Sequence, residues 1–301
     1  MKYLVSGVWC LAPVLQSRPS IPNSERETRN TELSAESRRL SADPMCLIVF
    51  AYKYHPHYPL ILAANRDEFY ERPTSNAHFW DDHPDLLAGR DLKYGGTWMG
   101  ITRSGRFAAV TNFRDRTEFR EPPLSRGLMV NEFLTSHETP KTFLKGIIPR
   151  EEEYNGFNLL VGDLTSLIYY SNRSRKMKVL KPGIYGLSNH LLDTPWSKIV
   201  RIRQALIDAI EGSDSVNMDS LFDVLYDQIP AADDELPDTG FDLEWERVLS
   251  SPFIVTPTYG TRASSVLLLD TDGHVKFTER SFTHSKDPGS TIHHEFTLTG
   301  P

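Results

Sequence analysis

Met45-Cys46-Leu47-Ile48-Val49-Phe50, followed after a short gap by Pro59-Leu60-Ile61-Leu62-Ala63-Ala64, is the stretch that decides the fold. Both runs are apolar at almost every position, which predicts strands buried on both faces. His55-Pro56-His57 and its neighbours supply the turn, so the two runs form a hairpin with a layer on each side. Two more hairpins are expected where 97–102 and 106–111 flank Ser104-Gly105, and where 265–269 and 275–279 flank Asp272-Gly273. In each, glycine provides the positive φ that the turn needs. Further strands are expected at 157–162, 167–170, 184–188 and 296–298.

Helical spacing appears between these strands. Thr194-Pro195 resembles an N-cap with proline at the first helical position, followed by Trp196, Ile199, Val200, Leu206, Ile207 and Ile210. Leu221, Val224, Leu225 and Ile229 predict a second amphipathic helix, and Leu128, Val130, Phe133 and Leu134 part of another. Runs of strands with helices inserted among them imply an α+β layered sandwich, not a doubly wound parallel sheet. The acidic, proline-containing stretch 231–240 is expected to be a surface loop.

Residues 1–44 read differently. Lys2 and the apolar run from Tyr3 to Leu15 resemble a weak signal peptide without a small-x-small cleavage site, and Gly7 and Pro13 break the run too early to span a bilayer. Residues 16–44 are polar and charge-mixed, with little to bury, so a disordered extension is expected, either a mis-assigned start or a targeting segment. One domain is expected over 45–301.

The net charge of −7, with both signs interspersed, argues against nucleic acid or an anionic membrane surface as the main partner. The two cysteines, Cys10 and Cys46, offer no disulfide framework, which makes a reducing, cytoplasmic compartment the default. No metal-ligand spacing is present: His55 and His57 flank a proline, and His293 and His294 are strand neighbours that face opposite sides. These histidines read as solvated loop residues.

Chemistry concentrates at two places. Asn65-Arg66-Asp67-Glu68 directly follows a buried strand, where four hydrogen-bonding side chains are costly unless they pair or serve a site. Cys46 is the second. A cysteine in a strand most often packs as a small hydrophobe. With Met45 removed, however, it would carry a thiol and an α-amine on one residue, and an amine of reference pKa about 8 is a competent base for a thiol near 8.5. A neighbouring arginine would favour the thiolate.

The opening Met45-Cys46, Leu62-Ala63-Ala64-Asn65-Arg66-Asp67-Glu68, Ala88-Gly89-Arg90-Asp91, Gly95-Gly96-Thr97-Trp98-Met99-Gly100, Tyr154-Asn155-Gly156-Phe157, Tyr185-Gly186-Leu187-Ser188-Asn189, Thr194-Pro195-Trp196 and Tyr259-Gly260-Thr261-Arg262 together resemble the NRDE family, whose members are called transport and Golgi organisation protein 2. That family is similar to N-terminal-nucleophile hydrolases, so the resemblance implies a four-layer αββα sandwich. It also implies roles. Cys46 would be the nucleophile with its amine as base, Arg66 the thiolate stabiliser, Asp67 a partner of the amine or the arginine, Asn189 the oxyanion donor and Arg262 a second active-site arginine. In the hydrolase branch two residues separate the arginine from the aspartate, whereas here Arg66 and Asp67 are adjacent. Asn65, Asn155, Trp98 and His190 are candidate binding residues.

Three functions follow as expectations. The resemblance implies intracellular haem binding and trafficking, with haem as a carried ligand held by the Cys46 thiolate or a histidine such as His190. The residue chemistry points to a cysteine amidohydrolase that acts on a non-peptide C–N bond and needs no cofactor. The family name suggests a role in membrane traffic or lipid homeostasis.

Overall fold

The computed structural model describes residues 4–5, 8–9, 45–115 and 124–299. Leu4–Val5 and Val8–Trp9 pair antiparallel in one unit of the chain, and the residues from Ser41 onward belong to a second. The expected disorder over the rest of 1–44 lies outside the described residues.

In the second unit the opening hairpin forms as expected. Strand β1 (Met45–Tyr52) pairs antiparallel with β2 (Leu60–Phe69), and every residue of both is buried. Alternation then sorts their side chains between two faces. Ile48, Phe50, Tyr52, Leu60, Leu62 and Ala64 enter one apolar cluster, whereas Leu47, Val49, Ala51, Ile61 and Ala63 enter another.

The chain continues through β3 (Thr74–Phe79), β4 (Leu86–Asp91), β5 (Met99–Thr102) and β6 (Phe107–Asn112), then α1 (Gly127–Thr135) and α2 (Pro140–Ile147). Next come β7 (Phe157–Gly162), β8 (Leu167–Ser171), β9 (Lys176–Val179), β10 (Gly183–Leu187), α3 (Ser197–Ile210), α4 (Met218–Leu225) and α5 (Leu243–Leu249). The last strands are β11 (Tyr259–Leu269), β12 (His274–Ser281) and β13 (Ser290–Thr297). Two antiparallel sheets result, one ordered β9-β8-β7-β6-β5-β4-β3 and the other β10-β1-β2-β11-β12-β13.

Three apolar clusters fill the spaces between four layers. The first lies between the sheets and joins Ile48, Phe50 and Leu62 to Met99, Ile101 and Leu160. The second packs Met129, Val130, Phe133, Phe143 and Leu144 of α1 and α2 on the seven-stranded sheet. The third packs Ile199, Ile202, Leu206, Leu221 and Phe222 of α3 and α4 on the six-stranded sheet. The architecture is therefore a four-layer αββα sandwich.

Several sequence expectations need correction. Helix α3 begins at Ser197 with Trp196 as its N-cap; the Thr194 hydroxyl instead donates to Leu191 O. Helix α4 ends at Leu225, leaving Ile229 exposed, because Asp227 turns the chain by accepting from the Ile229 N–H. The strand expected at 296–298 runs Ser290–Thr297 and carries both His293 and His294. His55 is buried and hydrogen-bonded to Ser213 O, not solvated. The glycines of 95–96 serve a close approach: a Cβ on Gly96 would lie 2.6 Å from the backbone carbon of Gly127, where α1 begins.

Candidate functional site

Antiparallel register sets Cys46 opposite Arg66 and Met45 opposite Asp67. By alternation Cys46, Arg66 and Glu68 face the space between the sheets, and Met45, Asn65 and Asp67 face the helix layer. The thiol is nearly enclosed, at 5% exposure, and burial pushes it up to about 12 against the lowering pull of Arg66. As long as Met45 precedes it, the Cys46 nitrogen is an amide and the sulfur a neutral thiol.

On the inter-sheet face Arg66 reaches Glu68 at 3.3 Å, and Glu68 also takes Arg72 at 3.4 Å. Arg72 in turn pairs with Asp91 at 2.7 Å, carrying the chain of charges across to the other sheet. Arg66 Nη1 is buried without a hydrogen-bond partner. Glu279 spans the gap as well, accepting the Ala77 N–H at 2.9 Å, and burial raises its pKa.

The helix face is equally charged. Asp67 accepts from the Thr261 hydroxyl at 2.6 Å, and burial drives its pKa up, opposed by that bond and by the charge of Lys198. Lys198 donates to Leu249 O at 2.8 Å and is driven down by burial. Arg114 pairs with Glu246 at 3.2 Å, lies 4.7 Å from the Trp196 ring centre and has Nη1 3.9 Å from the Met45 sulfur. The Met45 N–H donates to the Tyr259 hydroxyl at 3.1 Å. Met45 is thus enclosed by the charged groups that would border a freed Cys46 amine.

Asn189 arrives from the opposite direction. The Ser188 hydroxyl sits 3.3 Å from Cys46 O and 3.0 Å from Asn189 Oδ1, while Asn189 Nδ2 donates to Asn112 O at 3.2 Å. Thr111 of β6 donates to Ser188 O at 2.6 Å, and Asn158 of β7 bonds both Thr111 Oγ1 and His190 O. These bonds fasten the end of β10 to the facing sheet, which places residues 188–190 beside the start of β1.

Cys46, Arg66, Asp67 and Asn189 are therefore brought to one end of the sandwich. Arg262, at a bulge in β11, feels the charges of Arg66 and Glu68, and its guanidinium donates to the carbonyls of Phe69, Tyr70 and Arg72 at 2.8, 3.0 and 3.1 Å. Asn65 is fully buried and bonded to Leu225 O, Pro252 O and Ser264. Trp98 packs against the apolar clusters on both sides of the seven-stranded sheet. Asn155 is buried in the turn before β7, whose Gly156 O accepts from Phe113 N–H, next to Arg114. His190 is half-buried, 4.8 Å from the Phe113 ring and 5.6 Å from the Trp196 ring, with Nδ1 2.7 Å from Thr194 Oγ1.

Lys198, Glu246 and Arg114 were not singled out from the sequence. A signal was present for Lys198: it stands at i−4 and i−8 from Ile202 and Leu206, on the apolar stripe of its helix. For Arg114 and Glu246, both in polar surroundings, no local pattern marks them.

The sequence profile of the family described as Transport and Golgi organisation 2 matches residues 45–284. The chain belongs to this family. Its Bos taurus homolog is 41% identical over 276 residues, covering 84% of this chain and 99% of the relative. The Homo sapiens homolog is 39% identical with the same coverage. The Drosophila melanogaster protein is 27% identical, covering 79% of this chain and 93% of its own length. Among solved structures, a Caenorhabditis elegans ortholog of N-acylethanolamine-hydrolyzing acid amidase superposes with TM-score 0.42 at 10% identity, covering 74% of this chain and 92% of that one. A variant of the conjugated bile acid hydrolase of Clostridium perfringens gives 0.35 at 10% identity, covering 87% and 93%. Among the described residues no helix is long and apolar enough to cross a membrane.

Proposed function

We propose that this chain carries a cysteine amidohydrolase site that is latent until Met45 and all residues before it are removed. The observation that carries this reading is the shared end of the sandwich: Cys46 is the second residue of β1, Arg66 faces it from β2, and Asn189 is held beside its carbonyl through Ser188. In the released form the Cys46 amine takes the thiol proton as sulfur attacks the amide carbonyl carbon. One Asn189 N–H, beyond the one given to Asn112 O, supports the oxyanion. The C–N bond then breaks and the amine's proton passes to the leaving nitrogen, leaving a thioester on Cys46. Water attacks that thioester, giving its proton to the α-amine; the acid departs and the thiol is restored.

The test compares protein beginning at Cys46 with the full-length chain. Each is incubated with a panel of non-peptide amides and examined by intact mass. An acyl adduct on the shorter form that Cys46→Ala abolishes supports the reading. Equal adducts on the full-length chain would refute it, since there the Cys46 nitrogen cannot accept a proton.

A second reading is haem carriage in intracellular trafficking, and His190 favours it. Burial and the nearby Arg114 lower its pKa, so the ring is neutral near pH 7, as an iron ligand requires. The Phe113 and Trp196 rings beside it suit a flat macrocycle. A saturable Soret shift at micromolar haem that His190→Ala removes would support carriage, and a flat titration would end it.

A further inference from the structure

The bulge in β11 decides which side chain stands opposite Asp67. Ala263 pairs with Arg66, so an unbroken ladder would set Arg262 against Asp67. The extra residue slips the register by one, and Thr261 takes that place instead. Arg262 is turned aside, its guanidinium held by the Phe69, Tyr70 and Arg72 carbonyls. A hydroxyl, not a guanidinium, therefore faces the carboxylate.

Thr261 is fully buried and fixed from two sides. The Ile254 N–H donates to its Oγ1 at 3.0 Å, and its own N–H donates to Ile254 O at 2.8 Å. With one lone pair so occupied, the hydroxyl proton goes to Asp67 Oδ1 at 2.6 Å, the length of an O–H···O− bond. Among the described residues Thr261 supplies the one side chain hydrogen-bonded to that carboxylate. Asp67 is 1% exposed, so burial works against its charge. The charged and titratable groups around it are Lys198 of α3, Arg66 and Glu68 of β2, Cys46 of β1, Tyr259 of β11 and Tyr70 just past β2. Lys198 donates to Leu249 O, and Arg66 is paired with Glu68 on the other face of the strand.

We infer that Thr261 is a positioning residue: the β11 bulge seats its hydroxyl as the donor that keeps the Asp67 carboxylate an acceptor for the freed Cys46 amine. What the bond serves rests on the amidohydrolase reading; the bond itself does not. An amine anchored on Asp67 keeps its lone pair toward the thiol. Without the hydroxyl the buried carboxylate loses the donor that favours its charged form, and the protonated acid is a weaker acceptor.

The experiment uses the full-length chain and no substrate. Aspartate labelled at the carboxyl carbon is followed by NMR against pH, with Asp67 assigned by its loss in Asp67→Asn. Thr261→Val, which keeps the shape and removes the hydroxyl, is expected to move the Asp67 midpoint upward by at least one pH unit, a tenfold rise in proton affinity. Thr261→Ser, which keeps the hydroxyl, should hold it near the wild-type value. An unmoved midpoint in Thr261→Val overturns the inference, and a hydroxyl that merely fastens Ile254 would give that result. Should Thr261→Val fold poorly, urea unfolding of Asp67→Ala/Thr261→Val beside the two single variants decides. A joint loss smaller than the sum of the single losses supports the bond, and simple additivity refutes it. If the amide panel is silent while the Asp67 midpoint moves, the hydrolase reading fails and the hold on Asp67 stands. If adducts form on protein beginning at Cys46, Thr261→Val slows them and shifts the rising limb of the pH profile to higher pH, and Thr261→Ser restores both. An unchanged profile in Thr261→Val would count against the positioning role.

Discussion

The expected run after a strand lies inside β2, which continues to Phe69, and Asn65 offers a direct test of whether it serves binding or fastening. Its Nδ2 donates to Leu225 O at 3.0 Å and to Pro252 O at 2.9 Å, and its Oδ1 accepts from the Ser264 hydroxyl at 2.6 Å. Those bonds join β2 to the end of α4, to the loop after α5 and to β11. Asn65→Ala strands two carbonyls and one hydroxyl in a site with no solvent access. With about 1–3 kcal/mol for each orphaned buried group, and some relaxation around the small cavity, the loss is roughly 3–6 kcal/mol. That is a large share of the 5–15 kcal/mol that typically separates folded from unfolded protein. Urea unfolding followed by tryptophan fluorescence measures it, and Asn65→Asp should fare no better, since it loses both donors and buries a charge. A loss below about 1 kcal/mol with an unchanged slope would show that the three bonds hold nothing, and the fastening argument would fail.

Three further outcomes are expected. Arg262→Met removes the donor shared by the Phe69, Tyr70 and Arg72 carbonyls, so hydrogen exchange should accelerate at the Arg72 amide, which bonds Phe69 O, before it changes in β1. Gly96→Ala sets a methyl against the Gly127 backbone and should lower the melting temperature sharply, whereas alanine at Gly146, where a Cβ meets nothing within 4 Å, should not. Glu279 has a folded pKa raised by burial, so its contribution is fully present below its unfolded value and is lost as pH rises through the folded one. Glu279→Gln, which keeps an acceptor for the Ala77 N–H, should therefore gain stability relative to wild type at pH 8 and show no gain at pH 4 in parallel thermal melts.

The parts of the fold that were legible in the sequence are those buried on both faces. The runs 45–50 and 59–64 are apolar throughout because layers cover them on either side, and no surface alternation blurs the signal. Strands β3 and β9 went unread for the opposite reason. Both are sheet edges; the Lys176–Val179 strand is exposed at every position, and its lysines and turn-rich surroundings look like loop. Helix α5 was missed because only Glu246 and Leu249 of its residues are buried, too few to set a stripe. The cysteine, arginine, aspartate and asparagine of the candidate site stood out through motifs. Arg114 and Glu246 did not, because what defines them is a partner more than 130 residues away.

The pleat of a single ribbon separates two jobs at the start of β1. Sulfur and the Arg66 guanidinium look into one gallery, and the Asp67 carboxylate, bonded to the Thr261 hydroxyl, looks into another. A molecule seated against the sulfur from the gap side has the strand's backbone between it and that carboxylate. What fits against the sulfur is set on the gap side, whereas the acidity of the terminus answers to charges on both sides, since Arg66 and Glu68 act on Asp67 and Asp67 acts on Cys46. Reshaping the gallery for a bulkier guest should leave the proton affinity of the terminus where it was only if Arg66 and Glu68 are kept.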